Sequence, residues 1–184
     1  DVLEKSSRDL HLLAKAGIKI AYLGLESGDD IILQRMRKGV TNLDNIRACQ
    51  ELQAAGITLS VIAIVGLGGI ERWRENALST AQTINTIDPA YFAPLTLMIP
   101  EGSPLARWVQ QGSFVPLTPL QSLHELRLLV KHLDQLSHCV FRTNHASNYL
   151  PIRGVLSQDQ PQLLHVIDQA IQTQKLRPEY LRSL

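Results

Sequence analysis

The sequence predicts an α/β fold, a parallel sheet with its helices on the outside, on three observations. Short apolar runs rich in β-branched residues alternate with stretches of helical periodicity. Each run breaks at once into turn residues, such as Ser27-Gly28-Asp29 or Gly66-Leu67-Gly68-Gly69. Helical crossovers separate the runs, and strands joined that way lie parallel. Four such runs are too few to close an eight-stranded barrel, so an incomplete barrel is the expected geometry.

Element by element, Leu3, Leu10, Leu13 and Ala16 mark an opening helix stopped at Gly17. Residues 18–25 read as a short buried strand. Asp29 or Asp30 caps a short helix through Met36, closed by Gly39 with Arg37 and Lys38 in its last turn. The next helix starts at Thr41, three residues before Asp44 as in a capping box. It buries Ile46, Cys49 and Leu52 and ends at Gly56. Residues 57–65 form the clearest strand, and the helix after it carries Ala77, Ala81, Ile84 and Ile87 at helical spacing. Residues 91–98 make a third strand, followed by a loop of Pro100, Gly102 and Pro104. Thr118-Pro119-Leu120-Gln121 combines a Thr cap, a first-turn Pro and a third-position Gln, and opens a helix with the stripe Leu123, Leu126, Val130 and Leu133. Residues 139–142 are a fourth strand, and a last helix over 161–173 buries Leu164, Ile167 and Ile171.

No repeat or low-complexity tract divides the 184 residues, and 45% hydrophobic content supports one core. With 18 Lys+Arg against 17 Asp+Glu, the net charge of +1 offers no electrostatic grip on nucleic acid or an anionic membrane. The longest apolar stretch, residues 59–65, is far too short to span a bilayer, and no basic-then-apolar leader is present. Two cysteines, Cys49 and Cys139, make neither a CxxC pair nor a disulfide framework, so a cytoplasmic setting is expected. A start at Asp1 without Met reads as a piece of a longer protein.

In parallel α/β folds ligands collect at the carboxyl ends of the strands. The residues there are Glu26-Ser27-Gly28, the run from Gly66 to Gly69, residues 98–102, and Asn144-His145-Ala146-Ser147-Asn148. Glu26 suits either a helix start, where its charge complements the dipole, or a cationic or hydroxylated ligand. Lys38 is either an ordinary solvated helix end or a cation carried back to the mouth; with Glu26 it would suit a zwitterion. The glycine run follows a strand and precedes a helix, as a phosphate loop does. A full G-x-G-x-x-G pattern would need Gly where Glu71 stands, and the stretch about twenty residues on, Asp88-Pro89-Ala90-Tyr91, offers no acid after a strand, so the dinucleotide reading is incomplete. A lone loop histidine, His145, without Cys or carboxylate spacing is more often solvated than a metal ligand. Cys49 and Cys139 read as core.

Gly24-Leu25-Glu26-Ser27-Gly28, then Leu33, Met36 and Lys38-Gly39, then Ala55-Gly56-Ile57, resembles the second half of a radical S-adenosylmethionine (SAM) enzyme core. The strand ending in Gly66-Leu67-Gly68-Gly69 and the segment from Pro94 to Pro104 continue the likeness, which runs over about residues 12–106. The loop from Asn144 to Tyr149 resembles the tail of an Fe–S oxidoreductase branch. The resemblance implies the C-terminal part of a (β/α)6 partial TIM-like barrel over about residues 1–106, with residues 107–184 as an extension. It implies SAM and a 4Fe–4S cluster as cofactors, and reductive cleavage of SAM to a 5′-deoxyadenosyl radical that abstracts hydrogen from an unknown substrate. The family's CxxxCxxC loop is absent, so the cluster ligands lie outside this chain and the chain alone is expected to be inactive. By position, Glu26 and Ser27 match the rim that binds the methionyl group or ribose, Lys38 a residue reaching the SAM carboxylate, and Ile64 and Gly66 the segment flanking adenine. Where the family has an acid three residues after that glycine, this chain has Gly69. Asn144, His145 and Asn148 are the expected substrate contacts. The alternatives are a nucleotide-binding domain using Gly66 to Gly69, or a non-enzymatic interaction module. A half-barrel leaves a strand edge bare, so self-association is also expected.

Overall fold

The structure, a computed structural model, describes residues 2–183. Its sheet has five strands in chain order: β1 (Ile20–Glu26), β2 (Thr58–Val65), β3 (Tyr91–Thr96), β4 (Val140–Arg142) and β5 (Arg153–Val155). The first four are parallel, because helices return the chain after each of β1, β2 and β3. Sequence reasoning stopped at four strands; β5 adds a fifth, antiparallel to β4, with Val140 opposite Val155 and Arg142 opposite Arg153. Three residues carry no periodicity of their own, and only their partner strand identifies them.

Side-chain oxygens set most helix starts. The predicted opening helix is two pieces, a 3-10 turn at Val2–Glu4 and α1 (Ser7–Lys15), separated by a capping box of Ser6 and Asp9. Asp29, not Asp30, caps α2 (Asp30–Arg35), its Oδ1 accepting from the Ile31 and Ile32 amides at 2.8 and 3.2 Å. The predicted boxes of Thr41 with Asp44 and Thr118 with Gln121 form at α3 (Asn42–Ala54) and α6 (Pro119–Lys131). α4 (Gly69–Ile87) buries Ala77, Ala81, Ile84 and Ile87 as expected. The predicted loop around Pro104 instead opens α5 (Pro104–Gln110), where Ser103 caps the Ala106 amide at 3.1 Å and Pro104 takes the first turn. On α7 (Gln160–Thr173) the fully buried stripe is Leu163, Ile167 and Ala170, with Leu164 and Ile171 only half-buried.

All the packing lies on one side of the sheet. Leu59, Val61, Ala63 and Val65 of β2, with Phe92 and Phe141, join Cys49, Ile84, Leu126, Leu133 and Ile167 from the helices in one hydrophobic cluster. Each such aliphatic side chain contributes about 1.5–3 kcal/mol by leaving water. Alternate residues Ile62, Ile64, Tyr91, Ala93 and Leu95 point to the opposite face and stay half-buried. A doubly wound sheet would cover both faces; one covered face is the arrangement of a barrel wall. Among the described residues β1 pairs with β2 alone, and Tyr22 on it is 73% exposed. No helix among the described residues is long and apolar enough to cross a membrane.

Candidate functional site

The turn after β1 sends two adjacent residues to opposite sides. Glu26 takes a left-handed backbone conformation, φ 66°, and its side chain folds back over Gly24. A Cβ on Gly24 would sit 3.0 Å from Glu26 Oε1, so only glycine leaves the carboxylate its full room there. Lys38 reaches the same oxygen, with Nζ donating at 2.8 Å. Its position follows from how α2 ends: the Arg37 amide bonds to the Gln34 carbonyl and the Lys38 amide to the Leu33 carbonyl, a Schellman turn with Arg37 at the left-handed position. The pair is half-open to water, Lys38 at 38% and Glu26 at 24% side-chain exposure.

Glu26 and Lys38 stand at a cavity of about 300 Å³ that also takes in Met36, Ile64, Leu67, Met98, His145 and Ser147. The ends of β1, β2 and β3 and the loop after β4 therefore share one rim. Along the open face of the sheet runs a second hollow of about 540 Å³, lined by Tyr22, Ile62, Tyr91, Arg142, Asn144 and His145 among others. His145 belongs to both hollows. Its Nδ1 accepts from the Ser147 amide at 3.1 Å, which leaves Nε2 to carry the proton in the neutral ring.

Two of the expected contacts lie elsewhere. Ser27 is wholly buried; its hydroxyl donates to Asn76 Oδ1 at 2.5 Å and accepts from the Asp29 amide at 3.0 Å. Asn148 is buried too, accepting from Thr96 Oγ1 at 2.9 Å and donating to the Pro94 carbonyl at 3.1 Å. Every side-chain polar atom of the two is engaged inside the protein, Ser27 with Asn76 and Asp29, Asn148 with Thr96 and Pro94, and both are buried away from the rim. Gly66 also faces inward: its amide donates to Glu125 Oε2 at 3.0 Å, and its neighbour Leu67 is the one that meets the cavity.

Glu125, from α6, is the site residue that sequence reasoning missed. It sits 1% exposed on the core stripe of its helix, accepting from Gly66 at Oε2 and from Asn76 Nδ2 at Oε1, 2.6 Å. Asn76 also donates to the Ile64 carbonyl at 3.0 Å. Ser27, Asn76, Glu125 and Gly66 thus tie the turn after β1 to the turn after β2. Burial pushes the Glu125 carboxyl up to about 8, against the opposing pull of its bonds from Asn76 and Gly66. Gly28 lets the first turn lie against α4, since a Cβ there would sit 2.3 Å from the Ser79 carbonyl oxygen.

The glycine run is packed rather than open. The amides of Gly66, Gly69 and Ile70 are spent on Glu125, the Gly66 carbonyl and the Val115 carbonyl, and a Cβ on Gly69 would meet the Phe114 ring. A phosphate cradle built on those donors is not available. Two C-terminal arginines, also missed, hold the loop after β4: Arg177 donates to the carbonyls of His145, Ala146 and Asn148, and Arg182 to those of Ser147 and Leu97. A run of carbonyls leaves no mark in a sequence that would flag either arginine.

Among the described residues no cluster of three His, Cys, Asp or Glu side chains fits a metal ion. Cys49 and Cys139 are fully buried in the hydrophobic cluster, and burial pushes both thiols up to about 12.

Residues 3–81 match the sequence model of the radical SAM superfamily. Among solved structures, an archaeal Elp3 from Methanocaldococcus infernus with an N-terminal deletion is similar over 94% of this chain, at 18% identity and a TM-score of 0.62. Methylornithine synthase (PylB) is similar over 96% of this chain, at 16% identity and a TM-score of 0.51. The chain spans 40% and 57% of those two chains, and at such identities the likeness shows the shared fold. No curated protein matches the sequence.

Proposed function

We propose that this chain, whose residues 3–81 match the radical SAM superfamily model, forms the C-terminal part of such an enzyme's core, with Glu26 and Lys38 holding the methionyl end of SAM. The observation that carries this reading is the 2.8 Å Glu26–Lys38 pair set on one rim with Ile64 and His145. SAM presents an ammonium, a carboxylate and a sulfonium. A carboxylate and an ammonium that neutralise each other on the rim can open and exchange partners with such a zwitterion. The exchange costs little, because a half-exposed ion pair contributes about 0–1 kcal/mol. Ile64 and Leu67 supply apolar wall for the adenine side.

When bound, SAM supplies a sulfonium whose reductive cleavage starts hydrogen abstraction. This chain has no CxxxCxxC loop, so the reducing cluster would be held by residues outside it. Its own residues bind and orient: Glu26 and Lys38 at the rim, Asn144 and the Nε2–H of His145 toward a substrate in the hollow along the open sheet face. Ser27, Asn76 and Glu125 keep the two turns in register behind them.

Equilibrium dialysis of SAM against the complete cluster-loaded polypeptide tests the reading. Glu26→Gln and Lys38→Met should each weaken binding roughly tenfold, the loss of one charge-assisted bond. Unchanged affinity in both variants would overturn it.

The bare edge of β1 favours a second proposal, that copies of the chain pair there. Sedimentation of the wild-type chain should show a reversible dimer that Tyr22→Lys weakens. A monomer at every concentration sinks the idea.

A further inference from the structure

A third cavity, about 520 Å³, lies beside the proposed SAM site and shares Met36 and Met98 with it. Its floor is apolar: Ile99, Pro100, Leu105 and Trp108. Three arginines border it, Arg35, Arg37 and Arg107, and no carboxylate does. Arg35 is committed to the fold, donating to Glu71 at 3.0 Å and to the Ser113 carbonyl while it stacks on Phe114 and Trp108. The other two are not. Arg37 makes no side-chain hydrogen bond or ion pair among the described residues, and Arg107 has only a 3.5 Å contact to the Gly102 carbonyl.

Arg37 is also in an unusual place. Its φ of 54° is the left-handed position that ends a Schellman turn, where glycine is the usual residue. Two unpaired guanidiniums over an apolar, aromatic-floored hollow complement a molecule with one anionic end and one apolar body. The volume falls within the range of small-molecule sites. The net charge of +1 gives no extended basic surface for a nucleic acid.

We propose that this cavity binds a small carboxylate or phosphate ester, its anionic end held by Arg37 and Arg107 and its apolar body against Leu105 and Trp108. Any link between this cavity and the neighbouring SAM site, with which it shares Met36 and Met98, rests on the SAM reading; the anion site itself does not.

Calorimetric titration of the full chain with phenyl phosphate and with phenylacetate, against benzyl alcohol as the uncharged control, decides the matter. Both anions should bind saturably and the alcohol should not. Arg37→Gly and Arg107→Gln should each weaken anion binding roughly tenfold. Glycine suits the backbone at position 37, so Arg37→Gly should melt no lower than wild type, which separates lost binding from lost folding. Tighter binding of phenyl phosphate identifies a phosphate ester, and tighter binding of phenylacetate a carboxylate; either supports the site. Equal binding of benzyl alcohol, or anion affinity unchanged in both variants, overturns it. Intact anion binding alongside SAM affinity that ignores Glu26 and Lys38 leaves the anion site standing and removes only its link to radical chemistry.

Discussion

Glu26 and Ser27 are consecutive residues at the end of β1, yet they belong to opposite regimes. Glu26 faces the cavity in a half-exposed pair with Lys38, whereas Ser27 is sealed behind the turn in a chain of bonds through Asn76 and Glu125 to Gly66. Water screens the first interaction and can replace it. No water reaches the second, so each lost partner leaves a buried group stranded. The front of the strand ends is therefore free to exchange partners, and the back holds the turns still while it does.

The largest effect should come from the back. Glu125→Ala strands the Gly66 amide and one Asn76 N–H, and should lower unfolding free energy by about 3 kcal/mol in urea titrations. Its pH dependence sharpens the contrast. A carboxyl raised by burial to about 8 from an ordinary value near 4.5 binds its proton more tightly folded than unfolded. Its stabilisation is full below the unfolded value and is lost as pH rises through about 8. Wild type should thus lose stability across that window, and the slope should vanish in Glu125→Ala. At the front, Glu26→Gln should change folding stability by under about 0.5 kcal/mol in the same titrations. A loss as large as that of Glu125→Ala would break the division between the two sides.

What the sequence disclosed follows the same division. Local chemistry was readable: the capping boxes at Thr41 and Thr118, the core stripes of α4 and α6, and the apolar run of β2. The same logic would have found α5, since Ser103-Pro104 repeats the cap-and-proline start of Thr118-Pro119. Glu26, Lys38, Ile64 and His145 were legible as a group because they stand at or just past strand ends or the short helix after one, and the structure brings them to one rim. Ser27 and Asn148 were misread as open because their partners, Asn76 and Thr96, lie about fifty residues away. Glu125 was hidden for a related reason: a carboxylate in a core stripe makes sense only once two donors arrive from other segments. The short β5 and the arginine clamp on the loop after β4 likewise depend on pairing across the chain.

The two ends of the sheet are not equivalent. At the β5 end the strand is three residues long, and its Val155 amide is occupied by Asp159 Oδ2 at 2.8 Å. At the β1 end the seven-residue strand pairs, among the described residues, with β2 alone. Of the two ends, β1 has the length to accept a further strand, from this polypeptide or from another copy. If that strand comes from a second copy across a two-fold axis, the pair uses up both edges and stops there; if it comes from the same polypeptide, the edge is spent inside the barrel wall.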